Sequence, residues 1–195
     1  MSQLAYALCT VADQKTYLGV SVSTWDTLLE DLIDSCTEWL QKEMGGRQIK
    51  DLGTAITEYH DGDTDGTGKT ILWLRQWPLD PAKFTGVYYN SGTPSTPVWT
   101  AYNANDYTRD DETGTLYFGF KLPRGRKILK VVYQGGYTTL PDDIVLACKK
   151  LVAKEFDKRK SQGLKSESIG NASLSWNEDI DPGVLAVAQK YRRFA

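Results

Sequence analysis

Between Trp25 and Leu40 the apolar residues fall at Trp25, Leu28, Leu29, Leu32, Ile33, Cys36, Trp39 and Leu40. Steps of three and four gather them into one stripe along a helix. Ser23 or Thr24 is positioned to cap that helix, Asp26 stands at capping-box spacing from Ser23, and Gly45-Gly46 ends it. The opposite face is acidic, with Asp26, Glu30, Asp31, Asp34, Glu38 and Glu43 against Lys42 alone. Ahead of it, Leu4, Tyr6, Ala7, Leu8 and Val11 suit a short helix or a packed arm.

The period changes after Gly46. Tyr, Trp, Thr and Val replace the helical pattern, and Gly, Asp and Pro recur at turns. Six short strands are expected: 55–60 and 69–76 around the turn Asp61–Gly68, 84–90 and 97–102 around Ser91-Gly92-Thr93-Pro94, and 115–120 and 128–134 around Leu122-Pro123-Arg124-Gly125. Such a run predicts a small antiparallel sheet or sandwich.

Helical spacing returns at Ile144, Ala147, Cys148, Leu151, Val152 and Phe156, with Pro141, Asp142 and Asp143 at the positive end of the dipole. The far end is basic: from Ile144 to Lys165 there are seven Lys and Arg against two acids. Residues 161–180, rich in Ser, Gly and Asn, read as a loop or flexible arm. Asp181-Pro182 opens a short last helix with Val184, Leu185, Val187 and Ala188 on its apolar side, ending at Tyr191-Arg192-Arg193. The chain is thus expected to be α+β, a small helical bundle with an inserted antiparallel β-sheet or sandwich domain. Its parts are an N-terminal arm and first bundle helix (1–47), the β insertion (48–137), and a second bundle helix, loop and C-terminal helix (138–195).

Composition narrows the chemistry. The chain has 195 residues, 25% of them charged and 41% hydrophobic, with a formal charge of −2. That is a globular composition without the overall basic design of a nucleic-acid binder. A single histidine, His60, removes multi-histidine metal chemistry and reads as a surface or turn-edge residue. Three dispersed cysteines, Cys9, Cys36 and Cys148, without a CxxC, argue against a zinc ribbon or disulfide framework and fit a reducing compartment. No apolar run is long enough to span a membrane, and the N-terminal residues lack the basic start and apolar core of a signal peptide.

Two motifs tempt. Gly66-Thr67-Gly68-Lys69-Thr70 looks like the end of a phosphate-binding loop, but Asp63 stands where the first glycine is required and a strand follows instead of a helix. Asp61, Asp63, Asp65 and Gly66 copy the first half of a calcium loop, yet Leu72 occupies the position of the bidentate glutamate. A polar hairpin turn is the expected reading, and no cofactor or metal is expected. The rings Trp73, Trp77, Tyr88, Tyr89, Trp99, Tyr102 and Tyr107 could stack sugars, so a carbohydrate- or surface-binding module is the alternative function; core and cross-strand packing is the leading reading, because aromatics favour strands. A hydrolase or nucleotide-driven packaging enzyme is the remaining class, and the incomplete phosphate loop argues against it.

Four segments together carry a family likeness: Tyr17-Leu18-Gly19-Val20 leading into the acidic helix; Val131-Val132-Tyr133-Gln134-Gly135-Gly136-Tyr137 followed by Leu140-Pro141-Asp142-Asp143-Ile144; Lys158-Arg159-Lys160 followed by Gly163-Leu164-Lys165-Ser166-Glu167-Ser168-Ile169-Gly170; and the Asp181-Pro182 helix. The chain resembles the head–tail connector, or adaptor, proteins of tailed double-stranded-DNA bacteriophages. The resemblance implies a non-enzymatic virion protein of the neck, assembled in the host cytoplasm. It implies a homo-oligomeric ring, twelve subunits in the virion, that docks below the portal, extends the DNA channel and supports head completion and tail joining. Its partners would be the portal, the next neck, stopper or tail protein, and duplex DNA passing without sequence recognition.

Placed on this chain, the portal contact would fall on Val184, Leu185, Val187, Ala188, Tyr191, Arg192 and Arg193. Subunit contacts would pair Glu30, Asp31 and Asp34 with Lys149, Lys150 and Lys154. The channel lining would be Lys158, Arg159, Lys160 and Lys165.

Overall fold

The computed structural model describes residues 3–159 and 180–192, together with the backbone of 166–169 and 172–175. The chain divides into two compact units, residues 1–50 with 139–195, and residues 51–138. The class is mixed α+β.

The first unit is helical. Thr10 caps α1 (Val11–Leu18), its hydroxyl oxygen accepting the Asp13 N–H at 3.1 Å, and Gly19 closes it in the left-handed region. Helix α2 (Asp26–Glu43) buries Leu29, Ile33, Cys36, Thr37 and Leu40, the inner part of the expected stripe. The expected side-chain cap is absent: Ser23–Trp25 form a 3₁₀ turn and the helix begins at Asp26. That turn sets the Trp25 ring edge-on against Phe156, with 5.8 Å between centroids, so packing of the ring takes precedence over a local cap.

Helix α3 (Asp142–Lys158) packs against α2 and buries Ile144, Ala147, Cys148, Leu151, Val152 and Phe156. Helix α4 (Pro182–Lys190), capped by the Asp181 carboxylate on the Gly183 N–H at 2.7 Å, lies on α3 and α2. The stretch expected to be a loop contains two paired strands, Ser166–Ile169 and Ala172–Ser175. The intervening residues are Gly and Asn, a pair suited to a two-residue hairpin connection, whose signal was hidden by the polar composition around it.

The second unit is a two-sheet sandwich. Strands β1 (Ile56–His60), β3 (Gly86–Asn90), β4 (Trp99–Ala101) and β7 (Leu129–Tyr133) form one antiparallel sheet in the order β1-β7-β3-β4. Strands β2 (Ile71–Trp73), β5 (Tyr107–Asp110) and β6 (Thr115–Phe118) form the other, in the order β2-β6-β5. Alternation along β7 buries Leu129, Val131 and Tyr133, and these meet Leu72, Leu74, Leu116 and Phe118 from the facing sheet. Strand β5 escapes a reading of the sequence because Tyr-Thr-Arg-Asp has no apolar alternation; it is held by pairing with β6.

The turn at 61–68 is not a hairpin. It crosses from β1, paired to β7, to β2, paired to β6. Likewise 119–128 connects strands of different sheets.

Candidate functional site

The expected contact residues lie on helices α2, α3 and α4 or follow them in the chain, and the described ones have definite places. On α2, Asp31 is exposed and Glu30 half-buried, and neither has an ion-pair partner among the described residues. Asp34 is engaged differently. Its two carboxylate oxygens accept the Leu4 N–H at 3.1 and 3.2 Å, so it anchors the N-terminal segment. Nearby, Asp26 pairs with Lys15 at 2.8 Å.

The basic side of α3 is partly neutralised within its own unit. Lys150 pairs with Asp181 at 2.9 Å and Lys158 with Glu155 at 2.8 Å. Lys149 is half-buried, and its carbonyl accepts the Gln14 amide at 3.2 Å. Lys154 is half-buried. Arg159 lies over the Phe156 ring, 3.4 Å from its centroid, and over Trp25 at 4.7 Å, while donating to the Phe156 carbonyl. It is thus built into the packing of α2 on α3. Lys160 and Lys165 lie outside the described residues.

Helix α4 divides its apolar residues. Val184 and Ala188 are buried, Val187 is half-buried and Leu185 exposed. Beyond them, Tyr191 donates to Asp143 at 2.8 Å and Lys190 pairs with the same carboxylate at 2.7 Å. Burial raises the Asp143 pKa, but these donors and the Lys190 charge outweigh it and hold the group below its ordinary value. Arg192 is exposed, and Arg193 lies outside the described residues.

In the second unit, the acidic turn has no carboxylate held ready for a cation. Asp63 is buried and accepts the N–H groups of Gly66 at 3.1 Å and Gly68 at 3.2 Å. Asp61 accepts from Lys127 N–H at 2.7 Å, and Asp65 from the Thr67 N–H and hydroxyl at 3.1 and 2.8 Å. Among the described residues no cluster of three or more His, Cys, Asp or Glu is arranged to hold a metal.

His60 closes β1 at the edge of the turn, as expected, but it is not a surface residue. Its side chain is only 15% exposed, with Nε2 2.9 Å from Glu58 Oε2. Glu58 also accepts the Arg75 N–H at 3.2 Å and the hydroxyl of fully buried Tyr133, which itself accepts the Gln76 N–H at 3.1 Å. Burial pushes Glu58 up, yet the His60 and Tyr133 hydrogen bonds, the His60 charge and the Arg75 N–H together hold it below its ordinary value. The histidine is drawn inward because i and i+2 of β1 share a face, and Glu58 on that face needs donors.

Three of the seven tempting rings are structural. Tyr89, Tyr102 and Tyr107 pack against the sandwich core, and Trp73 alone of that set is half exposed, at 50%. A groove of about 590 Å³ was missed; Tyr59, Trp99, Pro94 and Pro97 line it together with Arg124, Arg126 and Lys127. Tyr59 and Trp99 stack with centroids 5.6 Å apart. The signal was present in the run 121–127, which holds four cations and no acid but reads as a turn. No described helix is long and apolar enough to cross a membrane.

Residues 7–194 match the family model described as head completion protein. No curated protein matches the chain.

Proposed function

Because the chain belongs to the head completion protein family of bacteriophages, we propose that it forms the neck ring that docks below the portal, extends the DNA channel and receives the next neck or tail protein. The family match carries this reading, since it spans both units and both chain ends of the described fold. The role is structural, in the virion, with assembly in the host cytoplasm and no catalytic step.

The ring contact is assigned to Glu30 and Asp31 of one copy and the Lys149, Lys150 and Lys154 side of the next. Cyclic assembly brings unlike faces together, and the two faces carry opposite charge. Asp34 supports that face by fixing residue 4 on it. The portal contact is assigned to the outer side of α4, Leu185, Val187, Tyr191 and Arg192, with Arg193 beyond them. Val184 and Ala188 would join it only when α4 leaves α3. Lys158, Lys160 and Lys165 would provide diffuse, salt-sensitive attraction to passing duplex DNA, with Arg159 adding charge from within the packing of Trp25 and Phe156.

The test is complementation. Heads assembled without this protein are expected to package DNA, lose it and fail to join tails, and purified protein is expected to restore joining. The double variant Glu30→Lys with Asp31→Lys is expected to restore it poorly and to form fewer rings, most clearly at low salt. Normal tail joining in the absence of the protein would overturn the functional reading. Full rescue by the double variant would overturn only the assigned ring contact.

A further inference from the structure

All three cysteines are buried as free thiols in the helical unit. They are not equivalent. Cys9 Sγ lies 3.7 Å from Cys148 Sγ, across a sequence separation of 139 residues. Thr37 reaches the same place, its Oγ1 accepting the Leu8 N–H at 3.2 Å and standing 4.0 Å from Cys148 Sγ. In the Cys9–Cys148 contact either sulfur can donate, as can either atom in the Thr37–Cys148 contact.

The contact has a chemical consequence. The hydrogen bond with Cys148 holds the Cys9 thiol below its ordinary pKa against the opposing effect of burial, and Lys149 adds to the lowering. Cys148 is pushed well up, by the same hydrogen bond and by burial. Cys36 is pushed up to about 12, by burial and the nearby Glu155. Attack on a disulfide requires the thiolate, and of the two facing sulfurs Cys9 is the one held low.

Access also favours Cys9. It sits outside any helix, one residue before the α1 cap, and is 5% exposed where Cys148 is fully buried. The segment carrying it buries Ala7 and Leu8 and is tied to α2 through Leu4 on Asp34, Tyr6 on Glu38 and Leu8 on Thr37, so the reagent reaches Cys9 through local opening of that segment.

We propose that Cys9 and Cys148 are an oxidisable dithiol, which a low-molecular-weight disulfide converts into an intramolecular bond tying the segment before α1 to α3, with Cys36 a bystander. In the first step the Cys9 thiolate attacks the reagent and releases one thiol, which takes up the Cys9 proton. In the second, Cys148 loses its proton and attacks the Cys9 sulfur, releasing the second thiol. The protein pair is oxidised by two electrons and the reagent is reduced to two thiols. Because the bond closes a loop spanning residues 9 to 148, it restricts the unfolded chain strongly. The proposal is independent of the neck reading above.

The test uses reduced, folded, full-length protein incubated with oxidised glutathione. The expected product has lost two hydrogens in mass, retains one titratable thiol, yields a Cys9–Cys148 cross-linked peptide, and melts at a higher temperature until dithiothreitol is added. The Cys36→Ser variant is expected to behave in the same way, and Cys9→Ser to form no internal bond. Three free thiols after oxidation, a persistent glutathione adduct on Cys9, or a bond to Cys36 would each overturn the proposal. The wild-type peptide map decides the matter even where a variant fails to fold.

Discussion

Replacing Tyr133 with Phe removes one oxygen from the centre of the sandwich and leaves the ring in place. Tyr133 is fully buried, its hydroxyl donates to Glu58, and it accepts the Gln76 N–H at 3.1 Å. Without that oxygen the Gln76 N–H loses its partner and the Glu58 carboxylate loses a donor in a buried site. A hydrogen bond to a charged group is worth about 1.5–3 kcal/mol, and a stranded buried donor costs about 1–3 kcal/mol. His60 at 2.9 Å and the Arg75 N–H at 3.2 Å continue to hold Glu58, so the terms do not add fully. The expected loss is about 2–4 kcal/mol. The assay is urea unfolding with an unchanged m-value, in a double-mutant cycle with Glu58→Gln. The double variant should lose less than the sum of the singles by about 1–2 kcal/mol, as partners in one network do. A Tyr133→Phe loss below about 0.5 kcal/mol, or strict additivity, would refute the claim that this network holds the sandwich together.

Glu58 also sets an acid limit. Its folded pKa lies below the ordinary 4.5, so its stabilisation is present above 4.5 and is lost as the pH falls through the folded value; in an acid titration of stability, Tyr133→Phe should flatten that decline. Gly62→Ala should destabilise the second unit by more than about 2 kcal/mol by calorimetry, because a Cβ there would collide with the Pro123 carbonyl and Ile128. Asp63→Ala should cost about 1–3 kcal/mol through the Gly66 and Gly68 N–H groups, while Lys69→Ala changes no nucleotide binding in a calorimetric titration. Asp143→Ala should release Lys190 and Tyr191, read as faster proteolysis near residue 180, with little change in global stability because the Lys190 pair is exposed.

Legibility followed the range of the interactions. The α2 and α3 stripes were readable because a helix repeats every 3.6 residues whatever it packs on, and the residues at Leu29, Ile33, Leu40, Ile144, Leu151 and Phe156 are buried as the period requires. The Asp181-Pro182 start of α4 was readable for the same reason, since cap and helix are adjacent in the chain. At the surface, the charge of α2 could be read but not its use: Asp34 binds the Leu4 backbone, while Glu30 and Asp31 face outward.

Strand positions, too, were set by local alternation and turn residues, and β1, β2, β3, β4, β6 and β7 lie within the expected ranges. Partners were not. Strand β1 joins β7 and β2 joins β6, because pairing is decided by which faces can be buried together, and alternation says only that a face exists. The same reason hid the chemistry. Glu58 meets Tyr133 across 75 residues and Cys9 meets Cys148 across 139, and no spacing in a sequence marks two side chains that only a closed core brings into contact. Sequence by itself determined the long helices, most of the strands and the family likeness; the fold decided the remaining strands and which buried polar groups and thiols became neighbours, since a desolvated group takes its partner from whatever the packed interior places within reach.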